Sequence, residues 1–288
     1  MTENMLYDDG ATNLIPDLSM SINGEDTTNG VVVSEYTGQG PTVSLPGKKI
    51  RDSVVWTING VVNGMIRNCV NVGDYEISAT VTRTGYDPTT ITGTLRITPK
   101  PLSVTGTSAS DKIYDGTTEA TIFRGYVSGF VDASSVICSA SGSFPDAEVG
   151  DYDIPVTFSL WSTDPELVDN YIVPDPVEVS ASILPKQLTL PEPTASDKMF
   201  DGSDEAAITI GELVGVIAGD DVSVSATGYF EDAEPGTDKP VTVDYMLTGS
   251  DAGNYTIERG QTTASITEDP TAVSVSWSGI KYKSRKVE

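Results

Sequence analysis

Carboxylates are the side chains in this sequence whose type and spacing could do chemistry. Asp and Glu are concentrated in short polar stretches, at 151–153, 201–205, 219–221 and 231–234. Calcium takes about six to eight oxygen ligands, so carboxylates on neighbouring loops could bind it. None of these stretches has the spacing of an EF-hand loop or of a nonapeptide calcium repeat. We therefore expect solvated acidic loops and keep a calcium site as the alternative.

The same carboxylates could act in pairs on a glycosidic bond. One carboxyl group would then need a raised pKa inside a cleft, and nothing in the sequence indicates such a cleft. The chain also has no histidine, which removes the Ser-His-Asp and Cys-His nucleophile systems and most zinc and haem ligation. We expect a protein that is not an enzyme, with no catalytic residue and no resident cofactor.

The overall charge is strongly negative. The 288 residues carry 42 acidic and 17 basic side chains, which gives a formal charge of −25. A polyanion is repelled by the phosphate backbone of nucleic acids and by anionic lipid headgroups. We therefore expect no nucleic-acid partner and no insertion into a membrane.

The N-terminal residues do not resemble a secretory signal. Met1 to Gly10 are acidic and polar, whereas a signal peptide has a basic start followed by an apolar stretch. No run of about 18 apolar residues occurs that could span a bilayer. If the chain begins at its natural Met1, we expect it to be made in a cytoplasm without a signal peptide.

An internal repeat with an offset of 86 residues organises the elements that carry these side chains. Three separate segments recur at this one offset, which chance does not explain. A repeat of this length is typical of tandem small domains. The matching pairs are 97–102 with 183–188, 110–116 with 196–202, and 144–150 with 230–236.

A weaker copy lies upstream of these two. Residues 72–77 resemble 149–154, the pair Gly85-Tyr86 precedes a strand-like run that ends at Ile97, and Tyr36-Thr37-Gly38 stands where 114–116 would fall. The sequence therefore predicts three domains between short terminal segments. These are an N-terminal segment 1–15, a first repeat 16–100, a second repeat 101–186, a third repeat 187–269 and a C-terminal segment 270–288.

Two cysteines are present, and they lie at non-equivalent places in two different repeats. Cys69 falls in the first repeat and Cys138 in the second. A disulfide that belongs to the repeat framework would join equivalent positions or lie within one repeat. We expect two free thiols that are buried or half-buried.

Strand periodicity dominates the sequence. Apolar and polar residues alternate at 75–81, 177–183 and 221–226, and Asn-Gly and Asp-Gly turns separate such runs. The stretch 205–214 is the one candidate for a short helix. Each repeat has the size of a small β-sandwich domain. The fold class is predicted to be all-β.

The connections between repeats are short. The closing strand of one repeat passes through Pro99 or Pro185 directly into the opening strand of the next, with no Gly/Ser spacer. Proline restricts the backbone at such a bend. We expect three tandem immunoglobulin-like β-sandwich domains that form a semi-rigid rod.

One motif resembles a known family. Asp-Lys-x-[Tyr/Phe]-Asp-Gly followed later by Asn-Tyr, at 111–116 with 170–171 and at 197–202 with 254–255, is similar to the YDG or MBG immunoglobulin-like repeats of bacterial surface adhesins. The first repeat keeps only Tyr36, Gly38, Gly73 and the pair Gly85-Tyr86. The resemblance implies an immunoglobulin-like fold used as a stalk or decoration, and it implies no catalytic residue.

The aromatic residues of this motif admit two interpretations. Tyr114 and Phe200 could stack on a sugar ring, but we expect them to pack in the core while Asp-Gly turns the chain. For Tyr171 and Tyr255 we expect a buried ring whose hydroxyl finds a backbone partner.

Charge is placed unevenly along the chain. The net charge is −4 over 1–100, −10 over 101–186, −14 over 187–269 and +3 over 270–288. In the C-terminal segment a strand-like alternation precedes a basic cluster, so we predict a docking segment that adds to the sheet edge of a partner. The alternatives are a frayed terminus, or an anchor in Met1 to Pro16. The predicted docking residues are Val273, Val275, Trp277, Lys281, Lys283, Arg285 and Lys286.

Acidic immunoglobulin-like repeats also resemble modules that bacteriophages carry on capsids, tails and fibres. That resemblance implies a structural protein on the virion surface, docked through one terminal segment to a capsid or tail protein. Weak multivalent contact with a host-surface glycan or protein, and homo-oligomers, are further expectations. The alternative is a stalk fragment of an adhesin on the bacterial cell surface.

Overall fold

A computed structural model of the chain describes residues 13–131 and 136–268. The predicted docking segment lies outside the described residues, as does most of the predicted N-terminal segment. The described chain is all-β, as predicted. None of its helices is long and apolar enough to cross a membrane. Within residues 13–131 and 136–268, helical structure is confined to the α-helix Pro165–Val168 and to the 3-10 turns Thr27–Asn29, Ile66–Asn68 and Ala252–Asn254.

The chain divides into two compact units. Unit 1 consists of residues 1–110, 119–143 and 153–180, and unit 2 consists of residues 111–118, 144–152 and 181–288. The three repeats with boundaries at 100, 186 and 269 stay a prediction.

Unit 1 contains a five-stranded sheet. Its strands follow the order Val31–Glu35, Thr89–Thr98, Gly73–Thr82, Ser53–Ile58 and Val61–Val62. The first pair is parallel and the others are antiparallel. A three-stranded sheet in the order Glu25–Asp26, Ser21–Ile22, Val43–Ser44 accompanies it.

Shorter pairings complete unit 1. Ser103–Thr105 pairs with Tyr126–Ser128, Ser108–Ala109 with Ile122–Phe123, Ile137–Ser141 with the last five residues of Gly150–Trp161, and Tyr171–Ile172 with Lys100–Pro101. The pairing of Lys100–Pro101 with Tyr171–Ile172 is parallel, whereas the other three are antiparallel.

Unit 2 also contains a five-stranded sheet. Its order is Lys198–Met199, Gly260–Thr267, Gly236–Thr248, Ser223–Phe230 and Glu205–Ala206. Further pairings join Lys112–Ile113 to the end of Val177–Leu184, Lys186–Leu188 to Tyr255–Ile257, and Thr194–Ala195 to Ile208–Thr209.

The predicted alternation forms the strands because it puts every second side chain on the core face. In Gly73–Thr82, Ile77, Ala79 and Val81 are fully buried, while Glu76 points to solvent. The core of unit 1 also includes Tyr36 and Tyr171. Burial of alternate side chains against a second layer is what stabilises a sandwich of this kind.

The candidate helix at 205–214 was a wrong prediction. Glu205–Ala206 and Ile208–Thr209 are strands instead. Glu205 and Ala206 pair with Tyr229 and Gly228 of a neighbouring strand. A ladder to an existing sheet satisfies these backbone groups, and the β-branched residues at 208 and 209 favour an extended conformation.

Two predicted hairpin turns are confirmed. Asn23-Gly24 joins Ser21–Ile22 to Glu25–Asp26, and its residues have φ values of 50° and 87°. Asn59-Gly60 joins the strands on either side of it with φ values of 47° and 81°. Two successive positive φ angles are the requirement of a type I′ two-residue hairpin turn, which explains the Asn-Gly sequence.

Cys69 and Cys138 are both free and buried, as predicted. Burial raises the pKa of both thiols. The two side chains therefore act as small apolar residues rather than as nucleophiles.

Candidate functional site

The Asp-Gly turn of the second repeat is held by its own motif. Asp115 Oδ1 accepts hydrogen bonds from Lys112 Nζ (2.7 Å) and from the backbone N–H of Thr117 (2.9 Å). The Lys112 ammonium holds the pKa of the Asp115 carboxyl at about 2. Gly116 has a φ of 74°, a conformation that favours glycine. These residues explain the Lys-x-x-Asp-Gly spacing as turn chemistry.

The third repeat builds the same turn. Asp201 Oδ1 accepts from Lys198 Nζ (2.9 Å) and from Ser203 N–H (2.9 Å), and Gly202 has a φ of 79°. The Asp201 carboxyl also has its pKa lowered to about 2, chiefly by the Ser203 backbone N–H and then by Lys198. The local geometry of the motif is therefore the same in both repeats.

The first aspartate of the motif ties the turn to the closing strand. Asp111 Oδ1 accepts from the backbone N–H of Ser182 (2.8 Å), and Asp197 Oδ1 accepts from that of Ser265 (2.7 Å). Each aspartate thus fixes where the following aromatic residue lies.

In unit 2 the tyrosine of one motif packs on the tyrosine of another. The rings of Tyr114 and Tyr255 meet edge to face with centroids 5.4 Å apart, and both residues are buried. Tyr114 Oη donates to Asp220 Oδ2 (3.0 Å), and Tyr255 Oη donates to the same oxygen. The backbone N–H of Ile217 donates to Tyr255 Oη (3.0 Å). Burial, and then the Asp220 carboxylate, raise the pKa of both phenols.

The asparagine before Tyr255 is also engaged. Asn254 is 2% exposed, and its Oδ1 accepts from the backbone N–H of Val149 (2.9 Å). Its Nδ2 donates to Glu148 Oε2 (2.5 Å). The Asn-Tyr pair therefore contacts the second repeat in two ways: the Asn254 amide hydrogen-bonds to Val149 and Glu148, and the Tyr255 ring packs on Tyr114.

Unit 1 contains a second cluster of the same kind. The rings of Tyr36 and Tyr171 meet edge to face at 5.4 Å, and both residues are buried. The backbone N–H of Val131 donates to Tyr171 Oη (3.1 Å). Val131 and Ile217 are related by the 86-residue offset. The predicted backbone partner of the tyrosine hydroxyl is confirmed in both units.

Asn170 is the counterpart of Asn254 and is fully buried. Its Oδ1 accepts from the backbone N–H of Val72 (2.7 Å), and its Nδ2 donates to Asn71 Oδ1 (3.1 Å). The backbone N–H of Lys100 donates to the Asn170 carbonyl (2.9 Å). We call these two assemblies, centred on Tyr36 with Asn170-Tyr171 and on Tyr114 with Asn254-Tyr255, the tyrosine clusters.

The third motif lacks such a partner surface. Phe200 N–H donates to the Thr267 carbonyl (2.8 Å), as Tyr114 N–H donates to the Leu184 carbonyl (2.8 Å). Yet Phe200 is 41% exposed, against 4% for Tyr114. The expectation that the aromatic residue of the motif packs in the core is confirmed for Tyr114 and is wrong for Phe200. Within the described chain, no second aromatic residue packs on the ring of Phe200.

The phenols of the tyrosine cluster in unit 2 are neutral. A phenol with a raised pKa that donates to a carboxylate keeps its proton at neutral pH. The acidic stretches are largely engaged as well, since Asp151 and Asp153 accept from Ser182 Oγ (2.6 Å) and Ser180 Oγ (2.8 Å). Over residues 13–131 and 136–268, no group of three or more Cys, Asp or Glu side chains is arranged to hold a metal ion.

Sequence reasoning missed the partners of these motifs. Asp220 was placed among the solvated acidic stretches, although it accepts from two buried tyrosines. Glu148 likewise binds an asparagine amide. The recurrence of the motif aromatic and of Asn-Tyr at one offset is a signal for these contacts. It does not show which repeat's Asn-Tyr pair contacts which repeat's motif aromatic.

The family is shown by comparison with known domains. The family model described as YDG domain matches residues 98–178 and 184–265, more than half of the chain. This chain belongs to the YDG domain family. In unit 2, the contact of Tyr114 with Tyr255 thus joins residues from two successive YDG domains.

Solved structures of several multidomain proteins align with most of the chain. The three N-terminal domains of the highly immunogenic outer capsid protein (Hoc) of bacteriophage RB49 are 11% identical, with a TM-score of 0.28 over 88% of this chain and 99% of that one. Drosophila N-cadherin EC1–3 is 10% identical, with a TM-score of 0.26 over 83% and 98%. No curated protein sequence matches the chain. These likenesses concern the fold alone.

Proposed function

We propose that this YDG protein is a non-enzymatic structural protein that displays tandem immunoglobulin-like domains at a surface. The observation that carries the proposal is the tyrosine cluster of unit 2. Tyr114 of one YDG domain and Asn254-Tyr255 of the next form a connection that is aromatic and fully hydrogen-bonded. A connection of this kind is useful to a spacer, which must hold successive domains in order.

The chemistry of the described residues supports a display role over catalysis. The chain has no histidine, and the motif residues with strongly shifted pKa values, Asp115, Asp201 and Tyr114, are tied into turns or into a cluster. Shifted pKa values also arise in structural networks, and these three have that origin. A charge of −25 keeps such a protein soluble.

The surface that we favour is a bacteriophage virion. One terminal segment, 270–288 with its four basic side chains or 1–15, docks on a capsid or tail protein. The acidic domains project and make weak multivalent contacts with host-surface glycans or proteins. The segment 270–288 is charged oppositely to the domains that precede it, which suits a docking role distinct from display.

The alternative is a stalk of a bacterial cell-surface adhesin. The two YDG domains favour this alternative, since such repeats resemble those of bacterial surface adhesins. Both proposals use the same connection between domains. They differ in the surface to which a terminal segment attaches the chain.

Fractionation tests the two proposals. Peptides of this chain should be recovered from purified virions at a fixed copy number per particle, and should be depleted from washed cell envelopes. Recovery from envelopes and absence from particles would replace the virion with the cell surface. Recovery from neither surface, with the chain free in the cytoplasm, would refute display altogether.

A deletion tests the docking segment. Removal of Thr271 to Glu288 should abolish incorporation into particles while the melting temperature of the remaining chain is unchanged. Unchanged incorporation would move the anchor to the N-terminal segment 1–15, and deletion of that segment is the matched control.

A further inference from the structure

The outer face of the third repeat differs from the two tyrosine clusters at the positions that supply hydrogen bonds. Phe200 stands where Tyr36 and Tyr114 stand, and it has no hydroxyl. Pro235 stands where Val72 and Val149 donate their backbone N–H to an asparagine, and proline has no N–H. We call the surface around Met199, Phe200 and Pro235 the acceptor face. An Asn-Tyr pair placed there would leave its asparagine oxygen without this donor.

The acceptor face is apolar at its centre. Met199 is 64% exposed and Phe200 is 41% exposed. A Cβ built on Gly202 would meet no atom of the described residues within 4 Å, whereas one on Gly38 would meet Val131 at 2.6 Å. The space that a neighbouring domain fills in unit 1 is open here.

The first repeat differs from the other two in a matching way. Gly85-Tyr86 precedes its closing strand, so a glycine replaces the asparagine. The segment at Asn13 runs beside this pair: Asn13 Nδ2 donates to the Gly85 carbonyl (2.8 Å) and Asp87 N–H donates to the Asn13 carbonyl (3.0 Å). Lys100–Pro101 runs beside Tyr171 in the same manner. The pair Gly85-Tyr86 therefore occupies the place of Asn170-Tyr171.

Tyr86 is 37% exposed, and the Arg83 side chain packs over its ring. The Arg83 guanidinium lies 5.6 Å from its ring centroid and binds both oxygens of Asp52 (2.8 and 3.0 Å) as well as the Gly47 carbonyl (2.7 Å). The side chains of Arg83 and Asp52 are 10% and 2% exposed. Because Gly85 has no amide side chain, this tyrosine needs no N–H donor at the position of Pro235.

The loop beside Tyr86 is basic. Lys48, Lys49 and Arg51 are exposed, and between them Ile50 is 98% exposed. We call the surface formed by Lys48–Arg51 and Tyr86 the donor face.

The acceptor face carries the opposite charge. Glu234 stands at the position of Glu148, whose carboxylate accepts from Asn254 in the tyrosine cluster of unit 2. Glu231, Glu234 and Glu268 are exposed, and within the described residues they form no ion pair. Glu268 follows Thr267, whose carbonyl accepts from Phe200 N–H. An apolar centre with an acidic rim thus matches an apolar centre with a basic rim.

From these matched differences we infer that the acceptor face binds the donor face of a second copy of this chain. Tyr86 covers Phe200 as Tyr255 covers Tyr114, while Lys48, Lys49 and Arg51 meet Glu231, Glu234 and Glu268. The two faces differ, so the contact is heterologous and each copy keeps one face of each kind for further copies. The product is a series of chains joined head to tail, which brings further copies of the displayed domains together.

Sedimentation equilibrium of the full chain tests this self-association. The weight-average mass should rise with protein concentration beyond one chain and should fall back when salt is raised, because the rims are charged. A mass of one chain of 30.4 kDa at every concentration up to the millimolar range would overturn the inference.

Charge reversal identifies the two faces. The variant Lys48→Glu, Lys49→Glu, Arg51→Glu and the variant Glu231→Lys, Glu234→Lys, Glu268→Lys should each associate at least about tenfold more weakly than the native chain. Mixed in equal amounts, the two variants should associate again, because each reversed face finds a complementary one. A mixture that stays monomeric overturns the pairing of these faces, and misfolding cannot produce the restored association.

A matched control changes the same amount of charge elsewhere. The variant Glu119→Lys, Asp175→Lys, Glu178→Lys alters exposed residues of unit 1 away from the donor face. It should associate as the native chain does. Loss of association in this variant as large as in the face variants would show a general charge effect and would overturn the assignment of the faces.

Discussion

Tyr114 and Phe200 occupy the same place in two successive YDG domains and have opposite fates. Both lie between the lysine and the aspartate of a turn of the same geometry, and both donate their backbone N–H to the closing strand over 2.8 Å. Tyr114 is nevertheless 4% exposed and Phe200 is 41% exposed. The motif sets the position of the ring, and a residue from the next domain decides whether the ring is buried. Substitutions and pH changes test this difference, from the largest expected effect to the smallest.

Removal of the two rings should give the largest difference in the free energy of unfolding between the two positions. Tyr114→Ala removes a buried ring and its contact with Tyr255, so we expect a loss of about 3–5 kcal/mol in the free energy of unfolding. Phe200→Ala removes an exposed ring and should cost less than about 1.5 kcal/mol. Denaturant titration of both variants measures the difference. Equal losses would mean that the neighbouring domain contributes nothing at Tyr114.

Loss of the asparagine tests the amide half of the cluster. Asn254→Ala leaves the Val149 N–H and the Glu148 carboxylate without their partner, so we expect a loss of about 1–3 kcal/mol. Asn68→Ala, at an exposed position, is the matched control and should lie within about 0.5 kcal/mol of the native chain. A cost at Asn254 no greater than at Asn68 would remove the amide from the connection.

Removal of the Tyr114 hydroxyl gives the second repeat the same aromatic residue, phenylalanine, that the third repeat has at Phe200. Tyr114→Phe deletes the hydrogen bond to Asp220 and keeps the ring, so we expect a loss of about 1 kcal/mol. The folded pKa of Tyr114 is raised, so the stability from the neutral phenol is present below about pH 10 and is lost as the pH rises above that value. Alkaline unfolding should accordingly be less steep in Tyr114→Phe. A slope that does not change would show that this phenol titrates as in the unfolded chain.

The two turns should respond alike, because their geometry is local. The pKa values of Asp115 and Asp201 are both lowered to about 2. Such groups contribute stability above the unfolded pKa of about 4, and the contribution is lost as the pH falls from about 4 to about 2. Asp115→Asn and Asp201→Asn should each reduce the acid dependence of the melting temperature, and by similar small amounts. A response in only one of them would mean that the neighbouring domain also controls the turn.

Much of the local structure was predictable. The strands at 75–81 and 177–183 and the Asn23-Gly24 turn follow from alternation and from the need for positive φ angles. The stretch 205–214 was misread because its apolar spacing fits a short helix, and pairing with Ser223–Phe230 overrode that preference. The acceptor role of Asp220 could not be read, because an aspartate in a loop looks the same whether it faces water or a tyrosine.

The sequence by itself determined the all-β architecture, the repeat and the turns, since these depend on residues that are neighbours along the chain. It also contained the differences between the tyrosine clusters and the two faces at Phe200, Pro235 and Gly85. Only the tertiary structure decided what those differences mean. Burial of Tyr114 depends on Tyr255, which lies in the next YDG domain more than a hundred residues away. A contact between such distant residues leaves no periodicity along the chain, so folding had to bring them together before their roles could be assigned.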